Sequence, residues 1–150
     1  MIQKEHHIII SLASNINHEA NLEAARTQLT QLLSEVHFTS AIYTEPVGNG
    51  QWSAPALLAC KARMFRSALP LGSSKNGQCP KYLNQLCKGT TALGMNLLNE
   101  VLKEIEKRLG RTHNEDGIVT VDLDLLEYDG ERFHHRDWER NYVKDLINEL

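Results

Sequence analysis

Two aspartates stand two residues apart in "GIVTVDLDLLEYDG" (117–130), inside an apolar run that otherwise reads as a buried strand. Taking a carboxylate out of water is costly unless it is paired or bound to a metal, so Asp122 and Asp124 need a partner. Side chains alternate across a strand. Val119, Val121, Leu123 and Leu125 therefore share one face, and Thr120, Asp122 and Asp124 share the other. The two carboxylates rise from points roughly 6–7 Å apart and can converge on hard cations. Two metals about 3.5–4 Å apart are held in this way for phosphoryl transfer. Magnesium accepts one or two protein carboxylates together with phosphate oxygens and water. The same pattern also fits two ordinary carboxylates on the wetted face of an antiparallel sheet.

The residues just upstream favour phosphate chemistry. The segment "KEIEKRLGRTH" carries Glu106 and then Arg111, the latter just outside the end of a helix. A guanidinium beside a carboxylate-held metal donates to the same phosphate oxygens that the metal neutralises. Arg111 also fits an exposed helix-end cation favoured by the helix dipole. His134 and His135, with His113, lack a carboxylate or thiol at zinc-type spacing and are not read as a zinc site.

These residues need a scaffold, and the chain supplies one. "HIIISLASN" (7–15) is a β-branched run leading into a turn. Leu22, Ala25, Leu29, Leu32 and Val36 recur at helical steps and predict a helix over about 18–35, with Asn15 or Asn17 as its cap. "VHFTSAIYTE" (36–45) predicts a second strand and "YLNQLCKGTT" (82–91) a third. Leu98, Val101, Leu102, Ile105 and Leu109 predict a helix over about 94–109, closed by Gly110. The fourth strand is 118–128, and the tail is polar and then weakly helical. Between Pro46 and Pro80 the periodicity dissolves into a long Gly- and Ser-rich excursion with a possible short helix. The order β-α-β-β-α-β is that of a ferredoxin-like α+β sandwich, a single sheet with helices packed on it.

Composition bounds the partners. At 150 residues, 41% of them apolar, the chain is of single-domain size with a feasible core. A formal charge of −3 argues against a nucleic-acid binder, and the longest apolar runs are too short for a membrane span. The N-terminus reads as a strand and not as a signal peptide. Cys60, Cys79 and Cys87 are odd in number and unpaired in spacing, as free thiols of a cytoplasmic protein would be.

Taken together, "ASNI", "YTEPVG", "YLNQ", "EIEKRLGR" and "VDLDLLEYDG" resemble the 6-hydroxymethyl-7,8-dihydropterin pyrophosphokinase family of folate biosynthesis, in the family's order over about 7–145. Only 49–79 lacks a counterpart. The resemblance implies a single domain over 1–150 with 49–79 as an atypical loop insertion and a shortened C-terminal layer. It implies ATP and two Mg²⁺, and transfer of pyrophosphate from ATP to the pterin hydroxymethyl oxygen. By the same resemblance, Asp122 and Asp124 hold the metals and act in catalysis with Arg111. Glu106, His135 and Arg140 contact the nucleotide. Thr44, Pro46, Val47, Tyr82, Asn84 and Tyr142 form the pterin pocket; Asn84 offers both donor and acceptor to an amide-like edge, and Tyr142 offers a ring to stack on a flat heterocycle.

The chain departs from the family pattern in places. The loop "RTHNEDGIV" carries Glu115 and Asp116 where the family carries positive charge, with His113 and Val119 at arginine positions. The glycine of the first motif is Ala13. An alternative therefore stands beside the active enzyme: a catalytically weakened homologue that binds pterin or nucleotide, or serves as a partner protein.

Overall fold

The computed structural model describes residues 4–44, 81–110 and 119–150. The expected insertion over 49–79, and the candidate residues Pro46, Val47 and Arg111, lie outside these residues. The elements are β1 (His6–Ser14), α1 (His18–Leu32), β2 (Ser34–Phe38), β3 (Ile42–Thr44), β4 (Tyr82–Thr91), α2 (Met95–Arg108), β5 (Asp122–Tyr128), β6 (Glu131–Arg132), α3 (His135–Trp138) and α4 (Asn141–Ile147).

Among the described residues the strands form one sheet in the order β2-β4-β1-β5-β6, with β3 also on β4. Every pair is antiparallel. Since β2 and β3 both lie against β4, they act as one broken edge strand, and the order is that of the expected ferredoxin-like sandwich. The β-branched run of β1 is central and nearly continuously buried, as a strand covered on both faces must be.

One face packs on the two long helices. Ile8, Ile10 and Leu12 of β1, Leu123 and Leu125 of β5, and Leu83 and Cys87 of β4 meet Leu22, Ala25 and Leu29 of α1 and Leu98, Leu102 and Ile105 of α2. Full burial of each large aliphatic side chain contributes about 1.5–3 kcal/mol, so this layer dominates the core. α2 ends as its sequence predicts: Gly110 follows the last turn at φ +96, a backbone that glycine adopts without a Cβ penalty.

The other face carries a second, smaller cluster of Leu86, Leu126, Trp138, Val143 and Leu146. The weakly helical tail therefore forms a layer of its own, α3 and α4, opposite α1 and α2. Strand alternation turns Leu126 to the second face directly after Leu125 fills the first. A β-bulge at Leu126, where the β1–β5 register shifts between Ile9 and Ile10, then returns Tyr128 to the first face opposite Ile8, where it packs against the first cluster.

Several boundaries differ from the sequence-based expectation. The strand expected over 36–45 is split, because Thr39 leaves the ladder to bond Leu86 by its backbone N–H (2.9 Å) and by its hydroxyl, which accepts Leu86 N–H at 3.0 Å. α1 stops at Leu32 as β2 begins at Ser34. β5 begins at Asp122 and not at 118, since Val119 is held instead by Asn15. Asn15 Oδ1 accepts Val119 N–H at 2.7 Å, and Asn15 N–H donates to Val119 O at 2.9 Å. Asn15 is thus a bridge and not the cap of α1. Asn17 stands at the cap position in a left-handed conformation, without a side-chain cap bond.

Candidate active site

The second sheet face brings most of the candidate residues together. In register, Ala13 of β1 lies opposite Asn84 of β4 on one side and Asp122 of β5 on the other, while Ser11 lies opposite Leu86 and Asp124. Neighbouring strands are about 4.8 Å apart, so Asn84 and Asp122 are separated by about 10 Å across a single methyl side chain. The Asn15–Val119 bridge fixes where β5 starts, and so fixes which residues of the strand face this way.

At the β5 end, Asp124 is half-buried and close to Asp122. Burial pushes the Asp124 carboxyl up to about 7, reinforced by the Asp122 charge and a hydrogen bond between the two side chains; Asp137 pushes it the same way and Lys103 opposes. A carboxyl held between like charges in a poorly solvated place is stabilised by a cation. Among the described residues no group of three or more His, Cys, Asp and Glu side chains gathers to hold a metal. A two-carboxylate donor set of this kind fits magnesium, which completes its shell with phosphate oxygens and water.

At the β4 end, Asn84 is 3% exposed. Its Nδ2 donates to Thr44 Oγ1 at 2.7 Å and to Ile42 O at 3.2 Å. It thereby ties the three-residue edge strand β3 to the sheet. Tyr82 opposes Thr44 in the same ladder and lies two positions before Asn84, on the same face. With the amide donor directed at β3, the acceptor is the part of Asn84 suited to a ligand's N–H.

The roof comes from the tail. Tyr142, near the start of α4, packs against the second cluster, and burial pushes its hydroxyl up to about 12. Asp137 adds to that shift, while Arg140 and a hydrogen bond with Ser11 oppose it. Arg140 is the N-cap residue of α4, and its Nε donates to Asp137 Oδ1 at 2.9 Å. α3 is pinned to β5 by Trp138, whose indole N–H donates to Leu126 O (3.1 Å) and Phe133 O (3.0 Å).

Asp122, Asp124, Thr44, Tyr82, Asn84, Tyr142 and Arg140 thus border one face of the sheet. Two candidates are placed differently. His135 is exposed at the first position of α3. Glu106 is 4% exposed at the β5 edge, where its Oε2 accepts Leu123 N–H at 2.8 Å and its Oε1 lies 3.4 Å from Lys103 Nζ. Sequence reading took Asn15 only as a possible helix cap and passed over Ser11 and Asp137. Asp137 had a local signal in its i,i+3 spacing to Arg140; the roles of Ser11, bonded to Tyr142, and Asn15, bonded to Val119, depend on partners far away in sequence.

Comparison with known proteins agrees with this architecture. Residues 9–150 match the family described as 7,8-dihydro-6-hydroxymethylpterin-pyrophosphokinase (HPPK). The chain is a member of a pyrophosphokinase class built on a ferredoxin-like sheet. It belongs to the 7,8-dihydro-6-hydroxymethylpterin-pyrophosphokinase family, in which ATP is the co-substrate. A folate synthesis bifunctional protein of Arabidopsis thaliana is 38% identical over 74 residues, covering 43% of this chain and 15% of that protein. A second one from the same plant, named as mitochondrial, is 40% identical over 76 residues (43% and 13%). A mitochondrial one from Pisum sativum is 36% identical over 83 residues (47% and 16%). The chain therefore matches only a small part of each relative. A Plasmodium falciparum HPPK-DHPS crystal structure superposes with a TM-score of 0.54 at 13% identity, over 98% of this chain and 38% of that one, a likeness of fold. No helix among the described residues is long and apolar enough to cross a membrane.

Proposed function

We propose that this chain transfers pyrophosphate from ATP to the hydroxymethyl group of 6-hydroxymethyl-7,8-dihydropterin, a step of folate biosynthesis, with two Mg²⁺ ions. Family membership supports the class of reaction. The observation that carries the reading to this site is the register Asn84–Ala13–Asp122, which puts a hydrogen-bonding amide and a carboxylate pair on one sheet face with only a methyl group between them.

In this reading, Asn84, Thr44 and Tyr82, with Pro46 and Val47, seat the pterin at the β4 end, and Tyr142 covers it. Asp122 and Asp124 hold the metal ions, which supply charge neutralisation on the phosphate oxygens. Arg140, Arg111 and His135 bind the nucleotide. Glu106 acts through β5, holding Leu123 N–H and with it the flanking aspartates. The pterin hydroxyl oxygen forms a bond to the β-phosphorus, the bond from that phosphorus to the α–β bridging oxygen breaks, AMP departs, and the hydroxyl proton is released. The chain's contribution is mainly alignment and charge placement, which is how phosphoryl-transfer enzymes work. A cytoplasmic location belongs to the same reading.

The test is AMP formation by purified protein supplied with ATP, Mg²⁺ and the pterin, lost in Asp122→Ala. Folded protein that binds the pterin by calorimetry but forms no AMP above background would overturn the reading in favour of a non-catalytic binding role.

A further inference from the structure

Arg140 is held in place by a neighbour that nothing in the proposed reaction requires. Its Nε donates to Asp137 Oδ1 at 2.9 Å, in a pair whose side chains are 31% and 23% exposed. Asp137 is itself fixed. Its N–H donates to His134 O at 2.8 Å, and the next residue, Trp138, is buried and doubly hydrogen-bonded to Leu126 O and Phe133 O. Arg140 N–H in turn donates to Asp137 O at 3.1 Å, and Arg140 O accepts Lys144 N–H at 3.1 Å to start α4. The guanidinium is thus anchored through its backbone and through one of its five donors. The Asp137 charge also lies near the site, where it helps raise both the Asp124 carboxyl and the Tyr142 hydroxyl.

We infer that Asp137 is a positioning residue of the proposed nucleotide site, holding Arg140 by Nε so that the remaining donors of its guanidinium meet the phosphates of a nucleoside triphosphate. A carboxylate beside an anion site is otherwise unfavourable: by charge alone, removing it strengthens nucleotide binding. It serves binding only if ordering a long, flexible side chain outweighs that repulsion. Freeing one rotamer-rich side chain weakens binding roughly three- to tenfold. The two explanations therefore predict opposite signs.

The inference rests on the proposed nucleotide site but not on turnover. The experiment titrates a non-hydrolysable ATP analogue with Mg²⁺ into wild type, Asp137→Asn, Asp137→Glu, Arg140→Ala and the Asp137→Asn/Arg140→Ala double variant by calorimetry. The expected result is roughly three- to tenfold weaker nucleotide binding in Asp137→Asn at unchanged pterin affinity, with recovery in Asp137→Glu. In the Arg140→Ala background, Asp137→Asn causes no further loss. Unchanged or tighter nucleotide binding in Asp137→Asn, or an equal loss with and without Arg140, would overturn the inference. Equal losses of nucleotide and pterin affinity with a lower melting temperature would overturn it as well, since they mark a merely structural role. If wild type binds nucleotide with the expected coupling but forms no AMP, the proposed reaction fails and the inference stands. If wild type turns over and Asp137→Asn binds nucleotide as before, the reverse holds. A wild type that binds no nucleotide at all defeats both.

Discussion

Asn84 and Asp122 flank Ala13, each in register with it on a neighbouring strand. Both half-sites of the proposed reaction therefore depend on one small side chain at the centre of the sheet. Ala13→Leu adds three heavy atoms in the space between them. We expect catalytic efficiency to fall at least tenfold, mostly through the pterin KM, with little change in melting temperature because Ala13 is only half-buried on this face. Steady-state kinetics with each substrate varied, beside a thermal melt, checks this; retained efficiency would show that the ligands do not meet over Ala13.

Asp122 and Asp124 make a second prediction that separates stability from chemistry. Without a cation, burial first and then the neighbouring Asp122 charge disfavour the ionised Asp124 carboxylate. In metal-free buffer at pH 8, Asp122→Asn removes one of the two charges and is expected to melt higher than wild type. Relief of about 1 kcal/mol corresponds to roughly 2–4 °C for a domain of this size. The same variant is expected to lose pyrophosphate transfer and the stabilisation that wild type gains from millimolar Mg²⁺. A variant that melts lower in chelator, or that keeps its response to Mg²⁺, would show that the pair does not form the cation site.

What the sequence made legible was local. β4 falls on the expected residues, and α2 with its Gly110 end differs by one residue at each side, because an amphipathic helix closed by glycine carries its own signal. The alternation of Leu123 and Leu125 against Asp122 and Asp124 also holds. Pairing decided the rest. Alternation continued through Thr39, but the Thr39 hydroxyl bonds Leu86 and breaks the strand. Alternation puts adjacent Leu125 and Leu126 on opposite faces, but it would also put Tyr128 beside Leu126, and only the bulge, invisible in the sequence, returns Tyr128 to the first cluster. The second layer was hard to see because α4 has only seven residues, and its apolar positions matter only once Leu86 and Leu126 are there to receive them. Of the site, the aspartate pair was legible from spacing; the place of Ala13 between Asn84 and Asp122 was not, since it exists only in the register of three strands.

Glu106 gives a prediction of a different kind. Its carboxylate accepts Leu123 N–H between the two aspartates, at 2.8 Å and almost without exposure. Glu106→Ala leaves that N–H buried without this acceptor, at a cost of about 1–3 kcal/mol. We expect a melting temperature lower by several degrees and a fall in kcat, with nucleotide affinity changed less than kcat. Calorimetry and kinetics on the same preparation decide it. A large loss of nucleotide affinity at unchanged stability would instead make Glu106 a direct ligand contact.

The last prediction concerns acid stability, set by two carboxylates far apart in sequence from what they bind. Asp129, in the β5–β6 turn, lies with Oδ2 2.6 Å from His6 Nδ1 and accepts His7 N–H on Oδ1 at 2.9 Å, tying the start of β1 to that turn. Glu149 accepts Ser40 N–H and Ser40 Oγ–H, both at 2.8 Å, tying the chain beyond α4 to the segment between β2 and β3. The His6 hydrogen bond is the main cause that holds Asp129 below the usual carboxylate range, and the Ser40 N–H does the same for Glu149. A carboxylate depressed in the folded state binds its proton more readily in the unfolded chain. Its contribution is therefore fully present above the ordinary carboxylate pKa, near 4, and is lost as pH falls through the lower folded value. The melting temperature of wild type is expected to fall as pH drops from about 5 toward 3, and the Asp129→Asn/Glu149→Gln variant, already less stable at neutral pH, is expected to fall less steeply in that window. Melts at closely spaced pH values compare the two slopes; parallel curves below pH 5 would mean that neither tie contributes to folding.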